Sequence, residues 1–342
     1  MSKTIVSLQA LKAVAFICIF AQHSGLIMTG GFGVNLFLAL SGFLMYYNYH
    51  NKSLSCSFSD IVKFSIKKIS KLYRLNVITL IFIYFYCFFI INSANRDYII
   101  GLTIKFIIDL TMLEVWIPDT RWSYPLTGAA WYLGVYLFVS TTFPLLLEKI
   151  KKVTKPLAFV VIFTILNATL LMILHFQLGA RVYSWASYVC PLFRLSEFLA
   201  GCFLAKFYFE HKSENNTILY NILSFMSVGV LVYLYSSLGQ VHFFVISIAD
   251  LILKPVIALL MIYLFVIKKD IITNLLSNKL LFLLGDITPI AFLIHEPLIM
   301  VLSPSIKAMS SPQNYQIYLV IIAFIGTIML SAIYRRCTES RL

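Results

Sequence analysis

Charge is what this sequence has least of. Only 12% of its 342 residues are Asp, Glu, Lys or Arg, against 60% hydrophobic, where a soluble domain carries about 25% charged residues. Its mean hydropathy is +0.89. That scarcity excludes a water-exposed globular domain. A transmembrane barrel is excluded as well, because barrel strands read as ~10-residue alternating segments. The apolar runs here approach the ~20 residues a helix needs to cross a bilayer. The patterns GxxxxGK[ST], GxSxG, HExxH and GxGxxG are missing, which removes support for phosphate-loop, serine-hydrolase and zinc-protease chemistry. The six cysteines (Cys18, Cys56, Cys87, Cys190, Cys202 and Cys337) form no CxxC or other metal spacing. Most lie in apolar runs, so neither a disulfide framework nor a metal site is expected. A cleavable leader is not expected either, since Lys12 interrupts its would-be apolar core and the first span runs straight into a second. There is no internal repeat, low-complexity tract or soluble domain.

What is present is an all-α polytopic membrane protein, read as one integral domain over residues 1–342. Ten spans are expected, at 5–25, 32–49, 75–92, 129–147, 156–174, 188–205, 218–236, 243–267, 280–301 and 317–334. With the N-terminus inside, nineteen of the 27 Lys and Arg residues fall in inner segments and five in outer ones, as the positive-inside rule demands. Both termini are then cytoplasmic, and the net charge of +13 is an orientation signal rather than a nucleic-acid surface. An eleventh apolar stretch, Ile99 to Val115, would reverse this bias downstream if it spanned. It is expected to be an amphipathic or re-entrant helix at the outer face.

Three cations remain at membrane depth: Lys12, Arg194 and Lys254. Glu197, Asp250, Asp286, Glu296, His23 and His295 join them. An ionisable group inside a span is expensive and points to function. Lys12 and His23 are eleven residues apart, close to three helical turns, which sets them on one face about 16 Å apart. Lys12 lies toward the cytoplasm and His23 toward the outer face. Gly30, Gly31 and Gly33 make a permissive turn, followed by Asn35, Ser41 and Gly42, whose simplest use is close helix contact. Lys63, Lys67, Lys68, Lys71 and Arg74 precede the third span. They suit either a phosphorylated ligand or orientation and lipid headgroups. Arg194 and Glu197 share a helix face, with a cavity role slightly favoured. Asp250 and Lys254, at i and i+4, are read as a neutralising pair. His295 and Glu296 line a cavity or cap the chain around Pro297, and Asp286 lies at about the depth of Lys12.

Taken together, these residues resemble a known family. LKAVAFICIFAQHSG, GGFGVNLFLALSGFLM, KKISKLYRL, WYLGVYLFVSTTFPLL, PLFRLSEFLAG and LLGDITPIAFLIHEPLI resemble, in order, the segments of the membrane-bound acyltransferase 3 family. These are transmembrane O-acyltransferases of bacterial surface polysaccharides. Asn35, Arg74, Thr288 and Pro289 depart from its pattern. Lysines replace arginines at 12, 68 and 71, keeping the charge without bidentate geometry. The resemblance implies ten helices in a bacterial inner membrane. It also implies transfer of an acyl group, most often acetyl, from cytoplasmic acyl-CoA (acetyl-CoA) to a glycan hydroxyl on the outer side. His23 is then the expected general base, with a transient acyl-histidine as the other option. Lys68, Lys71 and Arg74 are expected to hold the CoA phosphates, and Lys12 to lie along the pantetheine arm or at the pyrophosphate. Ser41, Arg194, Glu197 and His295 are candidates for orienting His23 or stabilising an oxyanion. The expected partners are acyl-CoA, a glycan acceptor and the lipid bilayer, with no nucleic acid and no metal. A transporter or flippase of an anionic or glycan substrate is the alternative, though it would often carry an internal repeat. A structural subunit of a polysaccharide assembly would leave the Lys12–His23 stripe without a purpose.

Overall fold

The computed structural model describes residues 6–91, 96–211, 216–237 and 249–339. The start of the eighth expected span (243–248), Ile5, Lys3, Lys212 and Arg341 lie outside the described residues. Ten helices among the described residues are long and apolar enough to cross a membrane, one for each expected span. In chain order the helices are α1 (Val6–His23), α2 (Gly30–Tyr49), α3 (Phe58–Tyr86), α4 (Arg96–Thr111), α5 (Thr120–Ser123), α6 (Trp131–Lys152) and α7 (Pro156–Gln177). They continue with α8 (Ala180–Tyr188), α9 (Pro191–Glu210), α10 (Thr217–Ser237), α11 (Lys254–Ile267), α12 (Ile271–Leu276), α13 (Lys279–Met309) and α14 (Pro312–Glu339). Short π-helical turns, Cys87–Ile91 and Ala249–Leu253, follow α3 and precede α11.

Several helices outrun the spans read from hydropathy. Ser57 caps α3, its Oγ accepting from the Asp60 N–H at 3.3 Å, with Asp60 in the first turn where a negative charge suits the helix dipole. The helix therefore starts well before the apolar run. Its 29 residues make about 44 Å, longer than the ~30 Å hydrocarbon core. Lys63 to Arg74 ride on this polar extension rather than on a separate loop. Most of the Ile99–Val115 stretch falls in α4, of 16 residues, and its end lies in the 3-10 turn Glu114–Trp116. At about 24 Å the helix is short of that core, and it packs Leu102 against Ile83 and Cys87. Helix α13 stays continuous through Pro289, Pro297 and Pro304, which membrane helices tolerate where neighbours re-satisfy the freed carbonyls.

The chain divides into two compact units. One comprises Met1–Leu54, Pro144–Phe176 and Leu195–Thr288, the other Ser55–Phe143, Gln177–Arg194 and Pro289–Leu342. The core of the first unit is built by backbones in close approach. A Cβ on Gly42 of α2 would overlap the Phe198 carbonyl of α9, and one on Gly201 of α9 would overlap the Ala39 carbonyl of α2. Each helix thus supplies the glycine that admits the other, a small-residue contact of the kind that holds membrane helices where no hydrophobic effect can. Gly33 likewise admits Ala15 of α1, and Gly285 of α13 admits Gln9 of α1. The α1–α2 turn is tied by the Thr29 hydroxyl donating to the Cys18 carbonyl at 2.7 Å and the Gly30 N–H donating to Gln22 Oε1 at 2.8 Å. Ser7 donates to the Phe265 carbonyl, joining α1 to α11.

In the second unit the order comes from polar anchors on the segment between α4 and α6. Lys105 of α4 donates to the carbonyls of Arg121 and Trp122, both at 3.2 Å, and of Tyr124. Asp109 accepts from the Leu126 N–H at 2.7 Å, and Trp185 of α8 donates to the Val115 carbonyl at 2.8 Å.

Candidate functional site

In the first unit, α1 runs unbroken from Val6 to His23. Lys12 and His23 therefore do lie three turns apart on one helix. Both are half-buried, while Leu11, Ala13, Phe16, Ile19 and Phe20 around them are buried. Asp286 lies within electrostatic reach of Lys12, in agreement with the common depth read from the sequence. The close Gly285–Gln9 backbone contact puts α13 beside α1 at this level. A lysine at membrane depth thus has a carboxylate to offset its charge.

The glycine contact between α2 and α9 decides two further residues. Ser41 precedes Gly42 and Glu197 precedes Phe198, so the two segments that carry them are docked backbone to backbone. Glu197 and Ser196 line a small cavity with Asn35, Thr164 and Asn167. Its volume of about 10 Å³ is about that of one water. Asn35 and Glu197 are brought together here. The contributions of Thr164 and Asn167 were not read from the sequence, where a lone Asn or Thr in an apolar helix carries no pattern. Gly42 is explained by packing, as its neighbours suggested. Asp250 and Lys254 form an i, i+4 ion pair, with the Lys254 ammonium also 4.9 Å from the Tyr235 ring. This pair neutralises itself, as expected.

In the second unit, Arg194 is buried and caged. Its Nε donates to the Tyr188 carbonyl at 2.7 Å. Its guanidinium lies 5.0 Å from the Tyr188 ring and 6.0 Å from the Trp131 ring, within cation–π range. Trp131 opens the WYL segment, so two motifs far apart in sequence meet around one guanidinium. His295 is fully buried, and its Nδ1 lies 2.8 Å from the Phe292 carbonyl. That contact makes Nδ1 the protonated, donating nitrogen. Glu296 accepts from the Ala129 N–H at 2.6 Å. Gly128 adopts φ +65°, and a Cβ there would overlap the Glu296 carboxylate. Glu296 thereby fixes the entry to α6, a contact with a distant segment rather than the cap around Pro297 or the cavity lining expected of it.

Lys68, Lys71 and Arg74 share the polar N-terminal extension of α3. Lys71 and Arg74 are exposed, and Lys68 is half-buried with its ammonium 5.1 Å from the Phe64 ring. Lys71 and Arg74 are thus accessible from solvent. The sequence reading passed over Asp109 and Glu114, which sit buried near the end of α4 and at the start of the anchored segment. Burial pushes the Asp109 carboxyl up to about 6 and that of Glu114 to about 8. The signal for them was two acids in an otherwise apolar stretch.

No curated protein and no solved structure matches the chain. The family model described as an acyltransferase domain matches residues 5–336, nearly the whole length. It covers every segment described above, from the Lys12–His23 helix to α14, and the chain therefore belongs to the acyltransferase 3 family of membrane acyltransferases.

Proposed function

We propose that this protein is an O-acyltransferase of the bacterial inner membrane. It takes an acyl group, most simply acetyl, from acyl-CoA on the cytoplasmic side. It passes that group to a hydroxyl of a cell-surface polysaccharide or its lipid-linked precursor. The observation that supports this best is α1 itself: one unbroken helix carrying a cation in its N-terminal half and an imidazole at its C-terminal end. Their separation of about 16 Å is on the order of an extended pantetheine arm. A thioester held from the cytoplasm by Lys68, Lys71 and Arg74 would reach the level of His23 with Lys12 beside its arm or pyrophosphate.

In this reading His23 accepts the proton of the acceptor hydroxyl as its oxygen attacks the thioester carbonyl. The tetrahedral intermediate collapses with cleavage of the C–S bond. The CoA thiolate leaves and recovers the proton from the imidazolium. Imidazole titrates near neutrality and suits both proton transfers. Ser41, Arg194, Glu197 and His295 are the donors and orienting groups proposed for the developing oxyanion and for the histidine. The contacts that hold Arg194 and His295 support such a role for them.

The test is O-acyl content of surface polysaccharide by NMR in cells carrying wild type or His23→Ala, with expression of both checked. The expected result is O-acylation with wild type and a loss of at least ~100-fold with the variant. Unchanged acylation with His23→Ala removes His23 as the base. Absence of O-acyl groups even with wild type, together with a glycan that fails to reach the surface without the protein, would favour the transporter reading. Acyl-CoA binding to purified protein, weakened in Lys68→Ala and Lys71→Ala, separates the two independently.

A further inference from the structure

The second unit holds a cavity that the acyl-transfer reading does not use. It lies between the π-turn that ends α3, helix α4, the anchored segment after it and Met300 of α13, and its volume is about 440 Å³. That is within the range of about 300–1,000 Å³ for ligand pockets. Its walls are mostly apolar, with Cys87, Tyr98, Leu102, Leu126 and Met300 among them, and Lys105 and Arg121 are its cations. Gly101 also lines it, and a Cβ there would meet nothing within 4 Å. The surroundings are apolar as well: Ile100, Ile104 and Ile107 of α4 form an exposed stripe, and Phe89 and Ile90 of the π-turn are more than half exposed. Such a surface belongs in lipid rather than water.

The level of the cavity is set by aromatic residues. All four tryptophans of the chain, Trp116, Trp122, Trp131 and Trp185, belong to this unit, on the anchored segment, the start of α6 and α8. Trp side chains collect where headgroups meet hydrocarbon. Charge completes the picture. Lys105 spends its ammonium on three backbone carbonyls and serves as wall. Arg121 is exposed. Asp119 occupies its Nε and Nη2 edge and leaves the Nη1 donors of the five N–H groups for a ligand. Arg181, also exposed, lies within electrostatic reach of Asp119 and adds a further positive charge.

We propose that this cavity holds one acyl chain of an anionic membrane phospholipid, with its phosphate at Arg121 and Arg181. The apolar volume at the interfacial level takes the tail, and the cationic rim selects the headgroup.

The experiment uses the full chain in nanodiscs with phosphatidylglycerol carrying a photoactivatable group in one acyl chain. The matched phosphatidylcholine probe is run in parallel. Cross-links are expected on residues 98–105 and 122–126. Gly101→Trp fills the cavity from a position with open space and is expected to remove those cross-links while leaving others on α3 unchanged. Arg121→Gln, at an exposed site that does not threaten folding, is expected to reduce phosphatidylglycerol labelling about fivefold and leave phosphatidylcholine labelling unchanged. Cross-links spread evenly over the helices, or unaffected by Gly101→Trp, would overturn the site. Equal labelling by the two lipids in wild type would overturn the headgroup assignment. Displacement of the probe by a polyprenyl phosphate but not by unlabelled phosphatidylglycerol would overturn the phospholipid in favour of an isoprenoid lipid.

Discussion

At the scale of single residues, two charged sites invite measurement. Asp286 lies within electrostatic reach of Lys12 at membrane depth, so removing either charge raises the cost of burying the other. Lys12→Met and Asp286→Asn are each expected to destabilise the protein, and the double variant to recover part of the loss. A coupling of about 1–3 kcal/mol is expected from reversible unfolding of all four proteins in mixed micelles. Strict additivity would mean that the two do not interact. Because Lys12 is also proposed to meet the acyl donor, the double variant should regain stability without regaining activity. The second site is Glu114, whose side chain is buried and whose carboxyl burial raises from 4.5 to about 8. Between those values the folded state binds more protons than the unfolded one, so stability falls as pH rises through the window. Asp109, raised from 3.8 to about 6, acts in the same direction at its lower end. Unfolding followed from pH 5 to 8 is expected to show a decline on the order of a few kcal/mol, which Glu114→Gln flattens. An identical pH profile in that variant would show that its carboxyl is already ionised when folded.

At the scale of elements, the reciprocal glycines of α2 and α9 matter most. Gly42→Ala and Gly201→Ala each place a methyl against a backbone carbonyl that cannot rotate away. Each is expected to cost about 1–3 kcal/mol, as overpacking does. Gly229→Ala, in open space on α10, is expected to be neutral or to stabilise by up to ~1 kcal/mol. Thermal unfolding of the three variants checks this, and a Gly42→Ala protein as stable as Gly229→Ala would remove the close contact. Gly42 was legible as a small residue beside Ser41 in an apolar run, whereas Gly201 stood out only as part of the PLFRLSEFLAG segment, with no packing role read for it. The ten spans and the Asp250–Lys254 pair were legible for similar local reasons, through hydropathy and i, i+4 spacing. Other features left no local trace. Lys105 is held by main-chain carbonyls, which every residue has. Glu296 reaches a backbone N–H 167 positions away, and neither partner's neighbours announce it. Helix α3 starts early because of a Ser57–Asp60 cap that hydropathy does not register.

At the scale of the whole molecule, the orientation read from charge turns on α4. Its 16 residues are too short to cross the hydrocarbon core unstretched, and the positive-inside count also keeps it on one side. Two exposed cysteines, Cys56 before α3 and Cys337 near the end of α14, report on this without added tags. Eight of the ten spans separate them, an even number that puts both on the same face, expected to be the cytoplasmic one. The buried Cys87, Cys190 and Cys202 stay silent because a thiol must be accessible to react. A membrane-impermeant maleimide is therefore expected to label both exposed cysteines in inverted vesicles and neither in intact spheroplasts, as read by Cys56→Ser and Cys337→Ser single variants. If α4 crossed the membrane, nine spans would intervene and the two would label from opposite sides. That outcome would also turn the Lys149–Lys155 segment outward and set the downstream charges against the positive-inside rule. The anchored segment after α4, and with it the cavity beside Arg121, would then face the cytoplasmic leaflet.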